Sequence, residues 1–327
     1  MIITFIHKQH LLIIAKSKAF GGMPFSCFQK LYDAIVLPVI NYGAAIWGHT
    51  QYSSVNAVHN KACRFYLGVG RYTPSAAVQG DIGWLPPFAH QWIAITRNWC
   101  RFKNMADHRL NKKVMKWAVQ YATNTKCKNS IWKTITYFKD NSLHDLLDSD
   151  HRLNTKDAVN RITTAFMDEF CNNWKESICS NKGKTKIGGN KLRTYCLLKS
   201  EFETEPYVKQ ILGKKQRSAI GKFRCGTAPI RLETGRYEGL PVHDRVCPYC
   251  LDVIEDEYHV LCECPLYDDL RMEFYDVLFT YVHCDFNNLL RIEKLCVILS
   301  SHSYQVIRLS ATFCCKILER RRLFNQI

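Results

Sequence analysis

Cys247, Cys250, His259, Cys262 and Cys264 lie within the eighteen residues CPYCLDVIEDEYHVLCEC, and all five side chains are donors for a soft or borderline metal ion. Cys-x-x-Cys is the spacing at which two thiolates on one tight turn reach a single ion, here with Pro248 and Tyr249 inside the turn. His259 follows nine residues on and offers an imidazole, and either Cys262 or Cys264 would complete a tetrahedron. Such a sulfur and nitrogen set suits one Zn2+, and four protein ligands leave no open position, so the site would be structural. A thiol–disulfide pair is the rival reading; it would want the cysteines at a helix N-terminus after a buried strand, and it leaves His259 and the later cysteines without a role. Chance clustering is the third, in a chain with sixteen cysteines, most of which read as small buried hydrophobes. Clustering at ligand spacing favours the metal. Spacing alone leaves the fourth ligand open: His259 and Cys262 share a helical face at i and i+3, whereas Cys264 is better placed if the chain turns at Pro265.

The elements that must position these residues read as mainly α. In FSCFQKLYDAIV, 25 to 36, Phe28, Leu31, Tyr32 and Ile35 recur at helical spacing, and Pro38 must kink that helix or start another through NYGAAIW. Ser53 or Ser54 can cap a helix that stops at Gly68, and Thr73-Pro74 starts a short one. Further helices are expected at 88–106, 110–121, 155–180 and 303–323, with their aromatic stripes read as core packing. SNKGKTKIGGNK, with three glycines and four lysines, reads as a linker over 181–191. The expected order is a helical region over 1–180, the linker, a basic helical segment over 192–246, a Cys-Cys-His-Cys module over 247–275, and C-terminal helices over 276–327.

Charge changes sign along this order. The 327-residue chain carries a net charge of +16, an excess that attracts polyanions. Lys182 to Arg224 holds twelve basic residues against three acidic ones, while Cys247 to Tyr275 holds eight acidic against one basic. Lys214, Lys215, Arg217, Lys222 and Arg224 could form a basic helical face, with Arg231, Arg236 and Arg245 leading to the cysteine cluster. RNA or DNA is the partner expected on that face, held mainly through phosphates. Arg320, Arg321 and Arg322 read as a complement to a helix C-terminus, with a phosphate patch or a nuclear address as alternatives. The N-terminal apolar run is broken at His7, Lys8, Gln9 and His10 and is not read as a signal peptide. No uncharged apolar stretch is long enough to span a membrane. An intracellular protein of the nucleus, the cytoplasm or both, not secreted, is expected.

The run RSAIGKFRCGTAPIRLETGRY, then RVCPYC and EDEYHVLCECPLYDDLR, resembles the zinc-binding module that follows the reverse transcriptase domain in non-LTR retrotransposons. Upstream, LYDAIVLPVINYGAAIWG and KACRFYLGVGRYTPSAAVQGDIGW are similar to the segment such elements carry just after the polymerase palm. The resemblance runs from about residue 25 to about 275. It implies Cys247, Cys250, His259 and Cys264 as the ligand set, the last standing directly before Pro-Leu-Tyr, and leaves Cys262 as a packing residue. It further implies a role in holding template RNA or target DNA.

Catalysis is not expected. Polymerases of this family hold divalent ions on carboxylates from separate strands, including an aromatic-x-Asp-Asp turn. Tyr267-Asp268-Asp269-Leu270 departs from that pattern and reads as a solvated acidic turn or helix start. An appended endonuclease would need Pro-Asp beyond the module, and no proline follows Pro265. P-loop, GxSxG and HExxH motifs are also missing from the sequence. The function expected is therefore that of a retrotransposon-derived, zinc-containing nucleic-acid-binding protein. A zinc-stabilised helical scaffold for protein partners and a decayed element fragment without a selected role are the alternatives.

Overall fold

The computed structural model describes residues 23–125, 127–148, 152–179, 189–282 and 286–324. The N-terminal run to residue 22 and most of the expected linker lie outside them. The fold is mainly α: among the described residues the only β pairing is an isolated antiparallel bridge between Val246 and Ile254. None of the described helices is long and apolar enough to cross a membrane.

Helices at Pro87–Lys103, Leu110–Thr125, Thr155–Cys179 and Tyr304–Phe324 agree with the periodicity to about one turn. Ser53–Leu67 ends at Gly68, whose φ of 72° is the left-handed conformation a glycine accepts without strain. Pro38 acts as expected, since it cannot donate to the preceding turn: a π-turn at Tyr32–Val36 gives way to a new short helix, Leu37–Ile40. A helix at Ser130–Asp140 was not expected from the sequence; Asn129 caps it, its side chain accepting from Trp132 N at 2.8 Å.

The chain forms two compact units that cut across sequence order. The first comprises Tyr32–His59 and Leu85–Asn172. The second takes residues 23–31, Asn60–Trp84 and the chain from Asn173 onward, so segments expected in the N-terminal region are built into the C-terminal unit.

In the first unit Trp99, Cys100, Met115, Phe138, Leu146 and Ile162 share a core, and Trp99 Nε1 donates to Leu146 O at 2.8 Å. His59 is buried there, 2.8 Å from Tyr32 Oη through Nδ1. Burial, with nearby His90 adding, pushes its pKa from 6.5 down to about 3. The ring is therefore neutral, and the tautomer it takes decides which of the two groups donates. The unfolded chain takes up a proton below about pH 6.5 that the folded chain refuses. Stability supplied by a neutral His59 is thus complete above that pH and is lost as pH falls toward 3, at roughly 1.4 kcal/mol per pH unit. His90, also lowered by burial, acts in the same direction. We expect the urea midpoint of His59→Gln to fall less than the parent's between about pH 7.5 and 5; parallel profiles would refute the assignment.

In the second unit the Tyr304–Phe324 helix packs against Lys214–Arg224, Asp268–Leu278 and Arg291–Leu299, burying Ile307, Ala311, Cys314 and Ile317. Phe274 and Phe313 stack with ring centroids 4.3 Å apart. This helix therefore anchors the segment that carries the cysteine cluster.

Candidate metal centre

Two short elements bring the ligands together. The first is a knuckle: Arg245 O accepts from Glu255 N at 3.0 Å and Val253 O from Cys247 N at 2.7 Å, pairing the legs on either side of CPYC. Leu251 N donates to Cys247 O at 2.7 Å, and Leu251 takes φ 70°, turning the chain back just after Cys250. The second is a turn at His259–Glu263 with π geometry, started by Asp256, whose Oδ1 accepts from His259 N at 2.7 Å. Its wide register closes with Cys264 N donating to His259 O at 2.7 Å, an i to i+5 bond. A tighter α-turn would have aligned His259 with Cys262. The wider one brings Cys264 beneath the imidazole instead.

Cys247, Cys250, His259 and Cys264 thus converge, their ligand atoms all within 4.8 Å of one another. Cys247 Sγ lies 3.8 Å and Cys250 Sγ 3.9 Å from Cys264 Sγ, and Cys250 Sγ is 3.5 Å from His259 Nε2. This set could hold one metal ion. Cys262 lies outside it: burial pushes that thiol up to about 12, and it faces Tyr275, Arg271 and Lys294.

Burial raises the Cys250 and Cys264 thiols and lowers the His259 imidazole. The neighbouring Cys247 sulfur raises both thiols further. Thiolates this close repel one another, and a divalent cation is the charge that would let them coexist. The other imidazole nitrogen, Nδ1, is buried and makes no hydrogen bond, but the Glu263 carboxylate stands 3.7 Å from it. A carboxylate on that side orients a ligating histidine with Nε2 toward the ion.

The basic residues expected to meet phosphate divide into three groups. Arg217, Arg224 and Arg245 are buried, which corrects their assignment. Arg217 donates to Tyr66 O at 2.7 Å, Arg245 to Leu240 O and Leu232 O, and Arg224 pairs with Asp81 at 2.9 Å. A guanidinium enclosed with its acceptors does not reach a phosphate in solvent. Arg231 and Arg236 are partly exposed but pair with Glu238 and Glu233. Lys214, Lys215 and Lys222 remain outward on the Lys214–Arg224 helix.

Sequence reasoning missed Glu255. Fully buried in the leg after Cys250, it pairs with Arg321 at 2.6 Å through both oxygens and accepts from Arg231 N. It ties the knuckle to the C-terminal helix, a long-range pairing with no local signal. Arg320 pairs with Asp269, and Asp268 with Arg271; the two aspartates open the Asp268–Leu278 helix, where negative charge complements its N-terminus. Arg322 lines a cavity of about 270 Å³ with Lys215 and Lys222. No family model, curated protein or solved structure matches the chain.

Proposed function

We propose that Cys247, Cys250, His259 and Cys264 hold one structural Zn2+ and that the protein is a non-catalytic nucleic-acid-binding protein derived from a non-LTR retrotransposon. The observation that carries the zinc reading is the size of the ligand set. Tetrahedral zinc bonds imply sulfur–sulfur edges of about 3.8 Å and sulfur–nitrogen edges of about 3.6 Å. Three of the six edges are 3.8, 3.9 and 3.5 Å, and the others lie within 4.8 Å. A disulfide would need one pair of sulfurs at about 2 Å, with no use for the imidazole.

RNA or DNA binding draws on the net charge of +16, on the resemblance, and on the groove where Lys215, Lys222 and Arg322 stand together with Glu319 as the acidic neighbour. Three cations in one concavity suit phosphates, and such contacts weaken steeply with salt. A protein-docking scaffold is the second reading, favoured by the apolar side chains Tyr249, Leu251, Val253 and Ile254 exposed on the knuckle. We expect retention on heparin and on RNA that falls linearly with salt on logarithmic axes, with the slope reduced by about two in Lys215→Glu/Lys222→Glu. Absence of retention, together with salt-insensitive capture of a protein that Leu251→Asp abolishes, would transfer the function to the scaffold reading.

A further inference from the structure

The Leu110–Thr125 helix carries a feature that core packing does not explain. Trp117 is 63% exposed and Tyr121 44%, and their rings stack on each other with centroids 5.4 Å apart and planes 22° apart. Large exposed aromatic pairs are uncommon on surfaces that face only water. Lys113, Trp117 and Tyr121 follow at intervals of four residues and so line one face, flanked by Gln120 and Asn124, all of them at least partly exposed. Charge identifies what this face suits. From Arg109 to Lys139 the sequence holds eight basic residues and no acidic one. Lys112 is turned inward onto Lys103 O, and Lys116 pairs with Asp107 at an exposed site, while Lys113 makes no ion pair among the described residues.

We propose that this face is a stacking platform for single-stranded nucleic acid. A base extends the Trp117–Tyr121 stack, Lys113 meets the adjoining phosphates, and the Gln120 and Asn124 amides reach base edges. Planar rings rimmed by cations match a polyanion whose own groups are planar, and aromatic faces accept any base. Duplex bases are already stacked and paired, so the platform discriminates for single strands. The platform uses none of the residues of the Lys215, Lys222 and Arg322 groove and stands independently of it.

The test is fluorescence anisotropy of the full zinc-loaded chain with labelled oligo-dT, oligo-U and a duplex of mixed sequence. Trp117→Ala should weaken single-strand binding by roughly 5- to 150-fold, the range that loss of one stacked base implies. Trp117→Phe should retain most of the affinity, and duplex binding should not change. Loss on either homopolymer supports the platform. The side chain is exposed, so an unchanged thermal midpoint will show that the fold survives. Parent-like binding of both single strands by Trp117→Ala, or equal loss on single strand and duplex, overturns the proposal. So does sedimentation in which the parent dimerises through this face while oligonucleotide binding is indifferent to Trp117. If only Lys215→Glu/Lys222→Glu loses binding, the platform fails and the groove stands; if only Trp117→Ala does, the reverse holds.

Discussion

Cys264→Ser is expected to abolish metal binding and to lower the thermal midpoint, whereas Cys262→Ser should keep one equivalent of metal. The two cysteines are separated by a single residue at the end of the His259 turn, but only Cys264 Sγ stands 3.8 and 3.9 Å from the Cys247 and Cys250 sulfurs. A serine hydroxyl does not ionise readily, and it would leave three donors for an ion that structural sites hold with four. Ligand deprotonation has to be driven by the metal, because burial holds the Cys250 and Cys264 thiols protonated. Binding therefore releases protons, and affinity should fall steadily as pH is lowered.

The stability at stake follows from mass action: an ion present at a thousandfold its Kd stabilises the folded state by about 4 kcal/mol. Elemental analysis of the purified chain and titration with Co2+ check the prediction together, since cobalt in a tetrahedral site with three sulfurs absorbs in the visible. A parent chain that purifies without metal and stays colourless with Co2+ would sink the metal assignment. A metal content equal in Cys262→Ser and Cys264→Ser would sink the choice of fourth ligand.

What the sequence made legible follows a physical division. Helices whose apolar residues recur every three or four positions were visible, because amphipathic periodicity is a local property, and so were the stops at Gly68 and Pro38. The cysteine and histidine spacing was visible for the same reason. The choice between Cys262 and Cys264 was not settled by spacing, because it depends on whether one turn adopts α or π register, which apolar periodicity does not report; in that turn Val260 and Leu261 are both buried. The division into units was hidden as well, since it depends on which distant segments share a core. Most misleading were the arginines. A basic residue on a helix in a positively charged stretch looks like a phosphate contact, but Arg224 belongs to a carboxylate 143 residues away. One-dimensional charge counting cannot distinguish a cation facing solvent from one neutralised inside.

Arg224→Ala is expected to destabilise the fold by about 3–5 kcal/mol, the penalty for leaving buried partners uncompensated, against a total stability of about 5–15 kcal/mol. Every donor nitrogen of this guanidinium is engaged. Nε and Nη2 hold Asp81 at 3.1 and 2.9 Å, Nη2 also reaches Glu205 at 2.9 Å, and Nη1 donates to Leu299 O and Ser300 Oγ at 2.9 and 2.5 Å. Tyr207 donates to Asp81 at 2.6 Å and Lys199 to Glu205 at 2.5 Å, so two cations and two carboxylates balance in a buried site. Removing Arg224 leaves two carboxylates facing one ammonium. Asp81→Asn should cost less than that, because the neutral amide keeps most of the hydrogen bonds. Arg224→Met/Asp81→Leu, in which charge leaves from both sides, should be less destabilised than the sum of its single substitutions, and urea unfolding of the cycle measures that coupling. Arg224→Lys separates the structural role from a phosphate contact. It preserves the charge and would barely alter a phosphate interaction, but one ammonium cannot serve acceptors fixed around a planar fork, so it should destabilise the fold while leaving the salt slope of nucleic-acid binding unchanged. An Arg224→Lys chain as stable as the parent, with a shallower slope, would return Arg224 to the binding surface.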